Sequence, residues 1–181
     1  MTLKQRTVSP SSAFTVMELL VVISIIAILL GILVPAYLKV RDRAKETEAR
    51  ITARNLQDAF RSYLDYYRTW PSDFGDESAA GEQIKGNVFR IMRGENINNA
   101  NPNTYVFYEF ATTNFTEGAL DPLWDPLDEN TKQPYRVRVD ANYDNKISVG
   151  GNDIYRSVIV WSCGWDHTND FGADDDIRSW E

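Results

Sequence analysis

Phe14-Thr15-Val16-Met17-Glu18-Leu19-Leu20-Val21-Val22-Ile23 opens an apolar run that continues to Val34, and Glu18 is its only charge. As a helix rising about 1.5 Å per residue, the run spans roughly 31 Å, the thickness of a bilayer's hydrocarbon core. A carboxylate inside such a segment costs at least ~2.5 kcal/mol by insertion scales. No Lys or Arg within the run can answer it. Its partner is therefore expected from another molecule, so the segment reads as an assembly device as well as an anchor.

The totals narrow the rest. The chain has 181 residues and a net charge of −7, and its mean hydropathy is −0.39 despite the apolar run. The residues beyond the run must therefore be hydrophilic. The acidic balance argues against nucleic acid as a partner, since phosphate backbones select basic faces. Cys163 stands alone, which excludes an internal disulfide. With one Cys and one His, a zinc site of sulfur and nitrogen ligands is nearly excluded. Upstream, Lys4 and Arg6 stand in a head without acids. This places the head on the cytoplasmic side by the positive-inside argument. The small-residue cleavage site, Ala13/Phe14, precedes the apolar core instead of coming after it as in a secretory signal. Cutting there keeps the helix and frees an amine four residues ahead of Glu18.

With its basic leader, small residue, Phe, acid and long apolar run, the stretch resembles the type IV prepilin signature of pilins and type II secretion pseudopilins. The family usually has Gly where this chain has Ala13. The resemblance implies a prepilin peptidase that cuts before Phe14 and methylates its amine. It also implies that Glu18 pairs with the amine of a neighbouring subunit. Four segments are expected: a leader peptide over 1–13, a transmembrane and assembly helix over 14–35, an amphipathic arm over 36–70, and a globular region over 71–181.

Beyond Pro35, Tyr37, Val40, Ala44, Thr47, Ile51, Asn55, Ala59, Tyr63 and Tyr67 recur at spacings of three and four. Leu56, Phe60 and Leu64 form a second row. The pattern predicts one helix from about Phe14 to Tyr67, stopped by Trp70-Pro71. A connecting region over 72–103 comes next, with a helical piece near Gln83 to Met92. Strand-like runs are Thr104–Thr112, Tyr135–Asp140, Lys146–Val149 and Ser157–Cys163. Tyr135-Arg136-Val137-Arg138-Val139 alternates as a half-buried antiparallel strand should. The expected fold is α+β: a long N-terminal helix packed on a small antiparallel sheet of three or four strands in a meander, pilin-like.

Resemblance to major pseudopilins extends to Tyr66–Pro71, to Asp125-Pro126 or Asp121-Pro122 together with Gln133-Pro134-Tyr135, and to the tail from Ser162 to Trp180. That tail carries Asp166, Asp170, Asp174, Asp175, Asp176 and Glu181 against Arg178. Such a cluster repels itself unless a cation lies close, and Ca²⁺ takes six to eight oxygens of this kind. The resemblance implies one structural Ca²⁺ here, with Asp166 and Asp174 as ligands, Asp176 in reserve and the Cys163 carbonyl contributing. Trp165, Phe171, Ile177 and Trp180, interleaved with the acids, indicate a loop that folds back on the domain. Asp140, Asn142 and Asp144 repeat the opening of an EF-hand loop, but position twelve is Gly151 and no helices flank it. A strand-to-strand turn is expected there. His167 has no nucleophile at a supporting distance and receives no catalytic role.

The function expected is a non-enzymatic subunit of a type II secretion pseudopilus that polymerises through its N-terminal helix. The implied setting is the bacterial cytoplasmic (inner) membrane, crossed once, with the C-terminal region in the periplasm or outside. The implied partners are further copies in a filament, minor pseudopilins, the prepilin peptidase, an inner-membrane assembly platform and, before assembly, the lipid bilayer. A type IV pilus subunit is the close alternative. A membrane-tethered periplasmic enzyme or binding domain is the alternative of another class.

Overall fold

Ala49, Ala53, Leu56, Phe60 and Tyr63 share one side of a long helix, and every one of them is buried. The computed structural model describes residues 14–75, 77, 80–112, 114, 116–125, 127–149 and 151–180. In it α1 runs Val16–Tyr67 with Pro35 inside it. Arg68, in the left-handed region with φ 61°, ends α1 before Trp70-Pro71 is reached. Contacts divide the chain into one unit up to Asp42 and another from Arg43 onward. In the first unit, the apolar side chains of α1 are exposed throughout.

In the second unit α1 packs against a four-stranded antiparallel sheet. The strands are β1 (Glu82–Gln83), β2 (Arg136–Val139), β5 (Val158–Ser162) and β6 (Ile177–Arg178), in the order β1-β2-β5-β6. β3 (Ile147–Val149) and β4 (Asn152–Ile154) form a separate hairpin, and α2 spans Gly86–Met92. The expected α+β architecture of helix on sheet is present.

β-branched residues suit a pleated surface buried on one side. Here Val137, Val139, Val158 and Val160 present that side to Leu56, Phe60 and Tyr63. Two polar ties cross the contact. The Tyr135 hydroxyl donates to the Ala49 carbonyl at 3.2 Å, and the Gln57 amide donates to the Val158 carbonyl at 3.1 Å. The opposite face of the sheet is covered as well. Ile159 and Trp161 pack on Ile147 and Val149 of the hairpin. Arg138 is buried and donates to the carbonyls of Ser148 and Glu77. The alternation of β2 therefore marks a strand enclosed on both sides, with arginines that bond to carbonyls in place of water.

Three expectations are corrected. Ala44, Thr47, Ile51 and Asn55 are exposed, so the expected stripe is buried only in its last turns, where Ala59 and Tyr63 lie beside Leu56 and Phe60 of the second row. Ala49 and Ala53 carry the buried face further toward the N-terminus, where small side chains let the helix come close to its neighbours. Thr104–Thr112 is not a strand. The Phe107 and Tyr108 amides both donate to the Met92 carbonyl, and Asn101 bonds the Tyr105 amide and carbonyl through its own side chain. Its aromatic residues serve ring packing: Tyr63 and Phe107 lie 5.0 Å apart, Phe89 and Phe110 4.1 Å. The strands also do not form a meander. β2 pairs directly with β5, Val137 opposite Val160, and β3 pairs with β4.

Of the two Asp-Pro pairs, Asp121-Pro122 is the one beside the sheet. Leu120 bridges Pro134, and the Asp121 amide donates to the Gln133 carbonyl. The buried Asp121 carboxylate accepts from the Ser162 hydroxyl at 2.7 Å and the Leu123 amide at 3.0 Å. Asp125 instead caps an exposed local turn through the Leu127 amide, and Pro126 lies outside the described residues.

Two measurements test this packing. Phe60→Ala should cost about 3–5 kcal/mol in denaturant unfolding of the micelle-solubilised chain, read by tryptophan fluorescence. Ile51→Ala should stay within about 0.5 kcal/mol. Burial raises the Asp121 pKa, opposed by the bonds from Ser162 and Leu123. The native state thus keeps this proton where the unfolded chain has released it. The stability contributed is present below the ordinary carboxylate value and lost as pH rises through the raised one. As pH rises from the ordinary carboxylate value through the raised one, the wild-type melting temperature should therefore fall relative to that of Asp121→Asn.

Candidate functional site

Helix N-termini leave amides without partners, and a Ser or Thr with Glu three residues later can satisfy two of them reciprocally. Thr15 and Glu18 do this at the start of α1. The Glu18 amide donates to the Thr15 hydroxyl at 3.2 Å. The Thr15 amide and hydroxyl both donate to Glu18 Oε2 at 2.8 Å. The acid thus has partners on its own helix, which refines the expectation that its compensation comes from another molecule. Both bonds use one oxygen; Oε1 accepts nothing from the described residues. Phe14 is exposed ahead of this turn, and Ala13 lies outside the described residues. The N-terminal part of α1 is long and apolar enough to cross a membrane. Within it the Ser24 hydroxyl donates to the Leu20 carbonyl at 2.7 Å, so that polar group is satisfied inside the helix.

The second site is the loop between β5 and β6. Its ends are pinned at Gly164, with φ 63°. A Cβ there would sit 2.6 Å from the carbonyl and carboxylate of Asp175. Asp175 Oδ2 accepts from the amides of Trp165 at 2.6 Å and Asp166 at 3.1 Å. This closure brings carboxylate oxygens of Asp166, Asp170 and Asp175 within 4.8 Å of one another. Partial burial, and after it the charges of Asp166, Asp174 and Asp175, raises the Asp170 pKa. Asp176 is buried, its Oδ2 accepting from the Gly172 amide at 2.7 Å. Burial pushes its carboxyl up to about 7, against that amide and with the charges of Asp170 and Asp175. Asp175 Oδ1 and Asp176 Oδ1 are buried without a hydrogen-bond partner among the described residues.

Of the ligands expected for Ca²⁺, Asp166 stands in the cluster. Asp174 is exposed and outside it, Asp176 faces Gly172, and Cys163 is buried at the root of the loop as a free thiol raised by burial. Asp170 and Asp175 join Asp166 instead. Spacing alone does not single them out, because Gly164 and the folding back of the loop decide which acids meet. The aromatic residues hold the loop down. The Trp165 indole donates to Glu46 at 3.0 Å, and the Trp161 indole to Asn169 at 2.9 Å. The donor set fits a hard cation: one carboxylate oxygen each from Asp166, Asp170 and Asp175, within a span of twice the Ca–O distance of about 2.4 Å.

The EF-hand-like stretch spends its acids on its own backbone. Asp140 accepts from the amides of Asp144 and Asn145, and Asp144 from that of Lys146. It is a turn leading into β3, as expected. His167 lies in the acidic loop, and its Nδ1 has no partner among the described residues.

The chain is similar to proteins named as type IV major pilins and as fimbrial proteins. It is 33% identical over 84 residues to the type IV major pilin protein PilE of Neisseria gonorrhoeae, covering 46% of this chain and 50% of that one. It is 32% identical over 87 residues to a fimbrial protein of Neisseria meningitidis serogroup B, covering 46% and 49%. The type IV major pilin protein PilE1 of Neisseria gonorrhoeae is 32% identical over 85 residues, 46% and 47%. The chain spans about half the length of these curated relatives. No family model matches it, and no solved structure does. The likeness to type IV pilin and fimbrial proteins covers under half of this chain, and none of these relatives is named as an enzyme.

Proposed function

We propose that this chain is a structural, non-catalytic subunit of a membrane-assembled filament. The observation that carries this reading is Glu18, the single charge of the membrane-length apolar run, set in the first turn of α1 with one oxygen that accepts nothing from the described residues. Cleavage at Ala13/Phe14 would place a new amine one residue ahead of Thr15. In the bilayer the Thr15 bonds offset part of the cost of the acid. In the filament, the methylated amine of a neighbouring subunit would take Oε1. Polymerisation then exchanges lipid contacts for helix–helix contacts, with the Glu18–amine pair helping to fix axial register.

Within that class, the acidic loop favours a type II secretion pseudopilus in the inner membrane, with the C-terminal region in the periplasm. Such a filament would work with minor pseudopilins, the prepilin peptidase and an assembly platform. A single Cys163 rules out closing this loop by an internal disulfide, and the acids offer a cation instead. Asp166, Asp170 and Asp175 would hold a Ca²⁺ that stiffens the loop and the β5–β6 pair flanking it. A type IV pilus is the second reading, favoured by the likeness to PilE and fimbrial proteins.

Mass spectrometry of the membrane-purified protein should give an N-methylated Phe14 as first residue; a chain still beginning at Met1 would sink the reading. Glu18→Ala should abolish filament incorporation and leave membrane insertion intact. For the loop, Ca²⁺ should raise the melting temperature of chelator-treated protein. Asp175→Asn should remove most of that rise and Asp174→Asn little of it. No shift on adding Ca²⁺ would exclude the metal.

A further inference from the structure

A cleft of about 300 Å³ opens beside α1, where Gln57 and Arg61 meet Asn145 and the β4–β5 connection Tyr155-Arg156-Ser157. Its lining is unlike the rest of the domain. From residue 71 onward the chain has twenty acids against nine bases, yet no acid lines this cleft. Two guanidinium groups do, and Asn145, Tyr155 and Ser157 add an amide and two hydroxyls. Neither Arg61 nor Arg156 has a side-chain hydrogen bond or ion pair among the described residues. The acids one turn from Arg61 do not quench it. Asp65 pairs with Arg68 at 3.8 Å, and Asp58 makes no ion pair among the described residues. The Gln57 amide is already spent on the Val158 carbonyl, which fixes the floor.

We propose that this cleft receives a carboxylate from a second copy of the chain, making it a lateral contact of the filament proposed above. The inference rests on that reading. The donors define an anion site, and guanidinium matches carboxylate geometry through paired N–H bonds. Exposure decides the occupant. Exposed guanidiniums pair weakly and are screened by salt, so a free small ion would be held only at tens of millimolar or weaker. A carboxylate carried by a neighbouring subunit is confined near the cleft by the polymer's other contacts, and such tethering supplies millimolar effective concentration. The same chain bears the surplus of acids that such a contact uses.

The test compares full-length wild type, Arg61→Glu/Arg156→Glu and Arg61→Lys/Arg156→Lys for filament mass sheared from cells. Membrane insertion and melting temperature serve as controls. Charge reversal should lower filament mass at least tenfold with insertion and melting temperature kept, and the lysine pair should restore part of it. If charge reversal unfolds the domain, Arg156→Gln gives the same comparison, since the Arg156 side chain has no partner among the described residues. Normal polymerisation of the reversed or Gln variant overturns the contact and leaves the filament reading standing. Absence of filaments from the wild type overturns both. Inorganic phosphate titrated into micelle-solubilised wild type provides the second arm. Saturable sub-millimolar binding, lost in Arg61→Glu/Arg156→Glu, would make the cleft a free-anion site and overturn the proposal.

Discussion

The contact between one face of α1 and the valine face of β2 and β5 is what the rest of the second unit depends on. Leu56, Phe60 and Tyr63 supply bulk, and Ala49 and Ala53 supply proximity. Burying a side chain such as Phe60 contributes on the order of 1.5–3 kcal/mol, so a few such residues outweigh any surface ion pair present here. Every other element attaches to this contact. α2 contributes Val88, Ile91 and Met92 to its edge, and the 104–112 segment seals its end with aromatic rings. The hairpin of β3 and β4 covers the far face of the sheet, which explains why β5 is buried at all five residues.

Charge is managed differently in the interior and at the margins. Arg138 and Asp121 are buried, and each is answered mainly by backbone groups or a hydroxyl: carbonyls of Ser148 and Glu77 for the first, Ser162 and the Leu123 amide for the second. At the margins the acids are left together. In the β5–β6 loop the closure at Gly164 brings like charges into one small volume, where buried oxygens of Asp175 and Asp176 have no donor among the described residues. Glu18 belongs to neither class. It is capped by Thr15 on one oxygen, and that economy makes an apolar helix with one acid tolerable.

The helix was legible in the sequence because an apolar run of membrane length leading into a 3–4 periodicity has few other meanings. Its buried face was legible only in part: Leu56, Ala59, Phe60 and Tyr63 stand in the expected rows, and Ala49 and Ala53 do not. Large apolar residues such as Val40 and Ile51 dominate any hydrophobic reading, whereas packing selected Ala49 and Ala53 for their small size. β2 and β5 announced themselves by β-branched residues. β4, Asn-Asp-Ile, did not, although Val149-Gly150-Gly151-Asn152 carries the two-glycine signature of a tight hairpin. The aromatic stretch from Tyr105 to Phe110 looked like a strand because its rings are spaced as one; long-range ring packing uses them otherwise. For the acidic loop, composition marked a cluster of like charges. Which carboxylates converge depends on a left-handed glycine and on indoles anchored elsewhere, and no spacing rule encodes that.

β6 carries one more implication. Ile177 shares a small apolar cluster with Ala49 and Leu123, so the last strand and the middle of the first helix complete each other across about 130 residues. Contacts that far apart in sequence form late, since the loop between them must close first. A chain made from its N-terminus will therefore have delivered its apolar helix well before the residues that floor the rest of that helix exist. The order of synthesis separates the two tasks of α1 in time: its first half can meet a membrane while its second half still has no sheet to fold upon.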